Sequence, residues 1–114
     1  MAKTAIPNPL ERRHLIEREL APEAALRVAE VYLADDRAWD AIGFLSKAGA
    51  RDRLAALREE AVRAGDTFLV REISRALGDE LAAERWRAVA EAASAAGKER
   101  FATEALRQAA RAEG

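Results

Sequence analysis

Ala61-Val62-Arg63-Ala64-Gly65-Asp66-Thr67-Phe68 is the stretch from which the fold is read. Four helix-compatible residues run into a glycine, and an aspartate follows at once. Glycine adopts the left-handed backbone that closes a helix C-terminus without a Cβ penalty. Aspartate is a strong N-cap for the helix that follows. Two helices are therefore joined by a link of two or three residues, which turns them antiparallel. The same punctuation recurs outward in both directions. Gly49, Gly78 and Gly97 each close a helical stretch, and Asp36 and Asp79 stand with Asp66 where an N-cap is wanted. Toward the N-terminus, Asn8-Pro9-Leu10-Glu11 opens a helix: Asn8 as cap, Pro9 at the first helical position, Glu11 placed for a capping box. Pro22 stops the first helix and opens the second. The spacing predicts helices over about 9–20, 22–34, 37–48, 51–64, 67–77, 80–96 and 98–112. Gly43 falls inside the third and is expected to permit close contact with a neighbouring backbone.

Composition agrees with an all-α fold. Alanine, arginine, glutamate and leucine dominate, and all are good helix formers. Much of the apolar half of the chain is alanine, so the core must rest on close helix approach. Nineteen Lys and Arg against twenty Asp and Glu leave a net charge of −1, a poor basis for polyanion binding. Arginine outnumbers lysine sixteen to three, as GC-rich bacterial coding would produce. No cysteine is present, which removes disulfides, thiolate metal sites and cysteine nucleophiles. No apolar run approaches the roughly 20 residues of a membrane span, and the first residues lack a signal-peptide core. A cytoplasmic protein is expected, with residues 1–7 as a flexible lead-in and 8–114 as a single helical domain.

The helices fall into three pairs. The turns at Asp36, Gly65 and Gly97 are followed three or four residues on by Trp39, Phe68 and Phe101. Intervals of about 30 residues suit helix-pair solenoids. In the first pair, Ala29, Tyr32, Ala41, Leu45 and Ala48 stand where the tetratricopeptide pattern has small, aromatic, small, large and small residues. The third pair follows through Ala90, Gly97, Ala102, Leu106 and Ala109. Over about residues 22–112 the chain thus resembles the tetratricopeptide-like superfamily. The second pair departs from it, with Arg58 at a small-residue position. A compact helical array with the same helix order remains the alternative to a solenoid. The last helix separates Phe101, Ala102, Ala105, Leu106 and Ala109 from Arg100, Glu104, Arg107 and Arg111. A polar outer side is what a terminal capping helix needs, so a whole protein is expected.

Glu23, Arg27 and Glu30 share one stripe of the second helix, and Glu84, Arg87 and Glu91 share one of the sixth. Glu59 and Arg63 fall level with them on the fourth. The resemblance implies that these eight residues line a concave groove for an extended peptide or partner helix. The alternative is a solvated face of intrahelical Glu–Arg pairs, worth about 0.3–0.5 kcal/mol each. Carboxylate-tail clamps of that family carry lysine and asparagine in the groove. Here Leu26, Arg87 and glutamates stand there, against that ligand class. Trp39, Trp86 and Tyr32 read as core residues.

Other chemistry finds no support. His14 is the sole histidine, with Glu17 and Arg18 at the positions a metal partner would need. Asp35, Asp36 and Asp40 lack the alternation and glycine of a calcium loop. Arg71 to Gly78 resembles the front of a helix-turn-helix, but Glu84 and Arg87 occupy positions that must be apolar, and Asp79 and Glu80 would oppose phosphates. No nucleic-acid partner, cofactor or metal is expected, and no catalytic group. The sequence reads as a non-catalytic protein-binding or scaffold module. The alternatives are a homodimer formed through the first helix, with Leu15 as a contact, and after it a DNA-binding regulator.

Overall fold

The computed structural model describes residues 6–17 and 20–114. Among these it contains seven α-helices and no strand: α1 Pro9–Glu17, α2 Pro22–Ala34, α3 Ala38–Lys47, α4 Arg51–Ala64, α5 Thr67–Leu77, α6 Ala83–Ala95 and α7 Glu99–Glu113. The chain divides into two compact units, Met1–Leu54 and Ala55–Gly114, and the division falls inside α4. None of the described helices is long and apolar enough to cross a membrane. The side chain of Leu15 lies outside the described residues, as does most of the lead-in.

The helix ends follow from a repeated backbone device. Gly49, Gly65, Gly78 and Gly97 all have positive φ, and the N–H one residue beyond each donates to the carbonyl five residues back. Such a bond satisfies a carbonyl that the helix end leaves orphaned. Asp36 closes α2 in the same way, with φ of 58° and the Arg37 N–H donating to the Tyr32 carbonyl. It therefore takes the glycine's place and is not the N-cap of α3, which begins after Arg37 without a side-chain cap. Aspartate is one of the few residues that tolerates this conformation. Asp66 does cap α5, accepting from the Leu69 N–H. Asn8 caps α1 by accepting from the Glu11 N–H at 2.8 Å, and its amide returns a bond to the Glu11 carboxylate. Asp79 caps nothing. It is drawn toward Arg58, residues 79–82 stay non-helical, and α6 starts at Ala83, three residues later than the sequence suggests.

In the first unit α2 packs on α3. Ala25, Ala29, Ala41, Phe44 and Leu45 are fully buried with Tyr32, and the Tyr32 and Phe44 rings stack at 5.9 Å. Trp39 is the exception to the expected core. It is 51 % exposed, because the register that buries Ala41, Ile42 and Leu45 turns position 39 outward. Gly43 meets no neighbour that a Cβ would touch, so the close approach expected there is absent.

In the second unit α7 packs on α6 and α5. Contacts pair residues in the same chain direction. Glu59 and Gly65 of the α4 segment meet Arg85 and Ala93 of α6, while Phe68 and Arg71 of α5 meet Phe101 and Glu104 of α7. Trp86 is buried as expected. Leu106, expected on the apolar side of α7, is 55 % exposed, whereas Glu104, expected outside, is largely covered. The inner side of α7 is alanine: Ala102, Ala105 and Ala109. Their small side chains leave room for Glu104 to lie against α5, where Arg71 approaches it.

Gly65 carries two demands at once. Its φ is 70°, and a Cβ would stand 2.6 Å from the Ala93 Cα. Gly97 carries only the first, since a Cβ there would meet nothing. Gly97→Ala should cost about 1–2 kcal/mol, the ordinary left-handed penalty. Gly65→Ala should cost at least about 1–3 kcal/mol more, because backbone must move to admit the methyl group. Urea denaturation of the two variants against wild type measures the difference.

Candidate functional site

The eight charged residues of the expected groove divide between the units. Glu23, Arg27 and Glu30 lie on α2 in the first; Glu59, Arg63, Glu84, Arg87 and Glu91 lie in the second. All face solvent, Glu59 less than the rest. Helical spacing brings Glu23 next to Arg27 and Glu84 next to Arg87, yet neither pair closes within its helix. The ion pairs that these eight residues do make run between helices. Glu30 accepts from Arg53 Nη2 at 3.3 Å, Arg87 pairs with Glu113, and Arg85 Nη2 reaches both Glu59 oxygens at 2.6 and 2.7 Å. Glu23, Arg27, Glu84 and Glu91 make no hydrogen bond or ion pair with the described residues.

Within the second unit the Glu59–Arg85 bond and the Gly65–Ala93 approach bring the α4 and α6 stripes side by side. The Glu59 carboxyl is held below the ordinary carboxylate range, first by the Arg85 hydrogen bond and also by the charges of Arg85, Arg58 and Arg63, with partial burial opposing. What remains open is a mixed surface in which Glu84 and Glu91 are unneutralised. It can attract a basic or hydrogen-bonding segment. Arg85 and Glu113, which set its charge balance, and Arg53 in the first unit were not visible as partners in the sequence, because each pairs with a residue at least 23 positions away.

A second feature of this unit is a cleft of about 500 Å³ between the C-terminal ends of α5 and α7. Arg71, Arg75 and Arg111 line it with Asp79, Glu80 and the side of Trp86. Behind it Arg58 is 9 % exposed, donating through Nη1 to Ser74 Oγ and the Asp79 carbonyl and through Nη2 to Asp79 Oδ2, all within 3.0 Å. The three rim arginines face two carboxylates and two helix C-termini, whose dipoles are negative. These charges nearly balance, and the cleft selects no ligand by sign.

His14 is exposed on α1. Among the described residues no group of three or more histidine, aspartate or glutamate side chains is placed to hold a metal ion. No family model, curated protein or solved structure matches the chain.

Glu104 is the second carboxyl held below its ordinary range. The leading cause is the hydrogen bond from Gln108, followed by the charges of Arg107 and Arg71, against partial burial. For Glu59 and Glu104 the folded value lies under the unfolded one. Each therefore stabilises the fold above the unfolded carboxylate range and loses that contribution as pH falls through its folded value. Gln108→Leu removes the largest cause and should raise the Glu104 pKa toward the unfolded value while leaving Glu59 unmoved. NMR titration of the side-chain carboxyls reads both.

Proposed function

We propose that this chain is a non-catalytic protein-binding or scaffold module, tetratricopeptide-like in its helix pairing, that engages a peptide or protein partner through its glutamate- and arginine-bearing faces. The observation that carries this reading is the open charge on α2 and α6. Glu23, Arg27, Glu84 and Glu91 are exposed and have no partner among the described residues, although a cation or carboxylate lies one helical turn away from each. These exposed charges are available to a partner at little internal cost, since a pair within the helix is worth only a few tenths of a kcal/mol.

The parallel stacking of α4 on α6 supports the reading further. It sets two charged stripes side by side, the arrangement by which helix-pair proteins present an extended surface. The carboxyls with displaced pKa values also favour binding over proton transfer. A general acid working near neutral pH needs a raised value, and Glu59 and Glu104 move the other way. A cytoplasmic setting is part of this reading, and none of the described helices is long and apolar enough to cross a membrane.

The stripe is tested by reversing residues that hold no structural pair. Glu84→Lys with Glu91→Lys should leave the helical content and thermal midpoint near wild type. It should weaken capture of the partner from a lysate of the source organism by roughly tenfold or more, as loss of two interfacial charges would. Arg100→Glu, a charge reversal on α7, is the control away from the stripe and should retain the partner. Equal retention by all three proteins would reject the α6 face as the binding surface.

A further inference from the structure

The contact between α1 and the α2–α3 pair has the chemistry of a ligand in a site. Arg12 of α1 places its guanidinium carbon 5.7 Å from the Tyr32 ring centroid and 5.6 Å from that of Phe44. Its Nη2 donates to the Asp40 carbonyl at 3.0 Å, and its Nε stands 3.6 Å from Asp40 Oδ1. Two stacked aromatic rings, a carboxylate and a carbonyl are the groups that recognise a planar cation. The other Asp40 oxygen accepts from Arg37 Nε at 3.0 Å, and Arg37 also lies over Tyr32, so the carboxylate sits between two guanidinium groups.

The fit is incomplete. Arg12 Nε and the Tyr32 hydroxyl are both buried and both lack a hydrogen-bond partner, while Tyr32 itself has no exposed surface. A buried donor left unmatched loses its bond to water without replacing it. The apolar contribution of α1 is also thin where it is described, since Leu10 is one of the most exposed large side chains in the protein. Arg12 is thus a resident ligand held in a site that satisfies it only in part. The linker from Arg12 to the site is short, so the resident competes at an effective concentration of the millimolar order.

We propose that the Tyr32–Phe44–Asp40 site is an arginine-recognition pocket, that Arg12 occupies it in the resting chain, and that an arginine-bearing peptide segment of a partner displaces Arg12 to bind there. The proposal rests on reading the chain as a peptide-binding module and assigns part of the partner's chemistry. It uses a surface apart from the α6 glutamates, so the two tests fail separately. Binding at this pocket requires α1 to give up its Arg12 contact, which makes α1 a competitor for the partner.

The test uses the full chain and an end-blocked peptide Ala-Ala-Arg-Ala-Ala, with the citrulline analogue as the uncharged isostere. Arg12→Ala should bind the arginine peptide at least about tenfold more tightly than wild type, because occupancy by the resident lowers apparent affinity by the fraction of open pocket. Ring resonances of Tyr32 and Phe44 should shift on titration. The citrulline peptide should bind at least about tenfold more weakly than the arginine peptide, and Asp40→Asn in the Arg12→Ala background should abolish the preference. Equal binding by Arg12→Ala and wild type, or equal binding of the two peptides, overturns the proposal. If Arg12→Ala loses its helical signal, Arg12→Lys keeps the charge and stem but not the planar fork. It must then show tighter arginine-peptide binding than wild type, and failure to do so overturns the proposal equally.

Discussion

The second unit is organised around one buried guanidinium. Arg58 sits on α4 and is nearly inaccessible to solvent. A buried charge is tolerated only when paired and hydrogen-bonded. Arg58 meets that condition through Nη1 and Nη2, which reach Ser74 near the end of α5 and both the carbonyl and carboxylate of Asp79 in the turn beyond, while its buried Nε has no partner. The consequences spread along the chain. Asp79 caps no helix while it serves Arg58, residues 79–82 are non-helical, and α6 begins at Ala83. Leu81 is buried in that same turn, and Trp86 is buried one turn into α6. The start of α6 then sets Arg85 against Glu59 and Ala93 against Gly65. Those two contacts join α6 to the stretch from Glu59 to Gly65 within the second unit.

The helix boundaries were legible because they rest on local rules. A glycine that must take positive φ, an asparagine within reach of the Glu11 N–H and a proline at a first helical position all act within a few residues of themselves. Gly65 and Asp66 behave as their types suggest. The failures share one physical origin. Asp36 and Asp79 look alike to any local rule. One is used for its tolerance of left-handed backbone and the other for a carboxylate wanted 21 positions away. Trp39 reads as core by size but falls on the wrong side of α3 by register. Leu106 and Glu104 exchange their expected sides because α7 packs through alanine and because Arg71 of α5 comes close to Glu104.

The same limit explains what the sequence could show of function. It identified charged stripes on α2 and α6, and both face solvent. It could not show which charges are spent within the protein, since Arg53, Arg85 and Glu113 come from distant positions. Intrahelical pairing was the alternative for the stripes, and the pairs made there, Glu30–Arg53, Glu59–Arg85 and Arg87–Glu113, run between helices. Nor could it show that Arg12 enters an aromatic and acidic site, because Tyr32, Asp40 and Phe44 converge only when α2 and α3 pack. Charges with no partner among the described residues and a site with an imperfectly satisfied resident are the two features on which the proposed binding role rests.

The role of Arg58 is most directly tested by a double-mutant cycle of Arg58→Met and Asp79→Ala, followed by urea denaturation. Methionine keeps much of the buried volume and removes the charge. Each single variant should be destabilised, and the pair should show a coupling of at least about 1 kcal/mol, as expected for residues that share a charged hydrogen bond. Asp79 is half exposed, which holds the coupling below that of a fully buried pair. Costs that simply add, to within about 0.5 kcal/mol, would contradict the view that this contact organises the second unit.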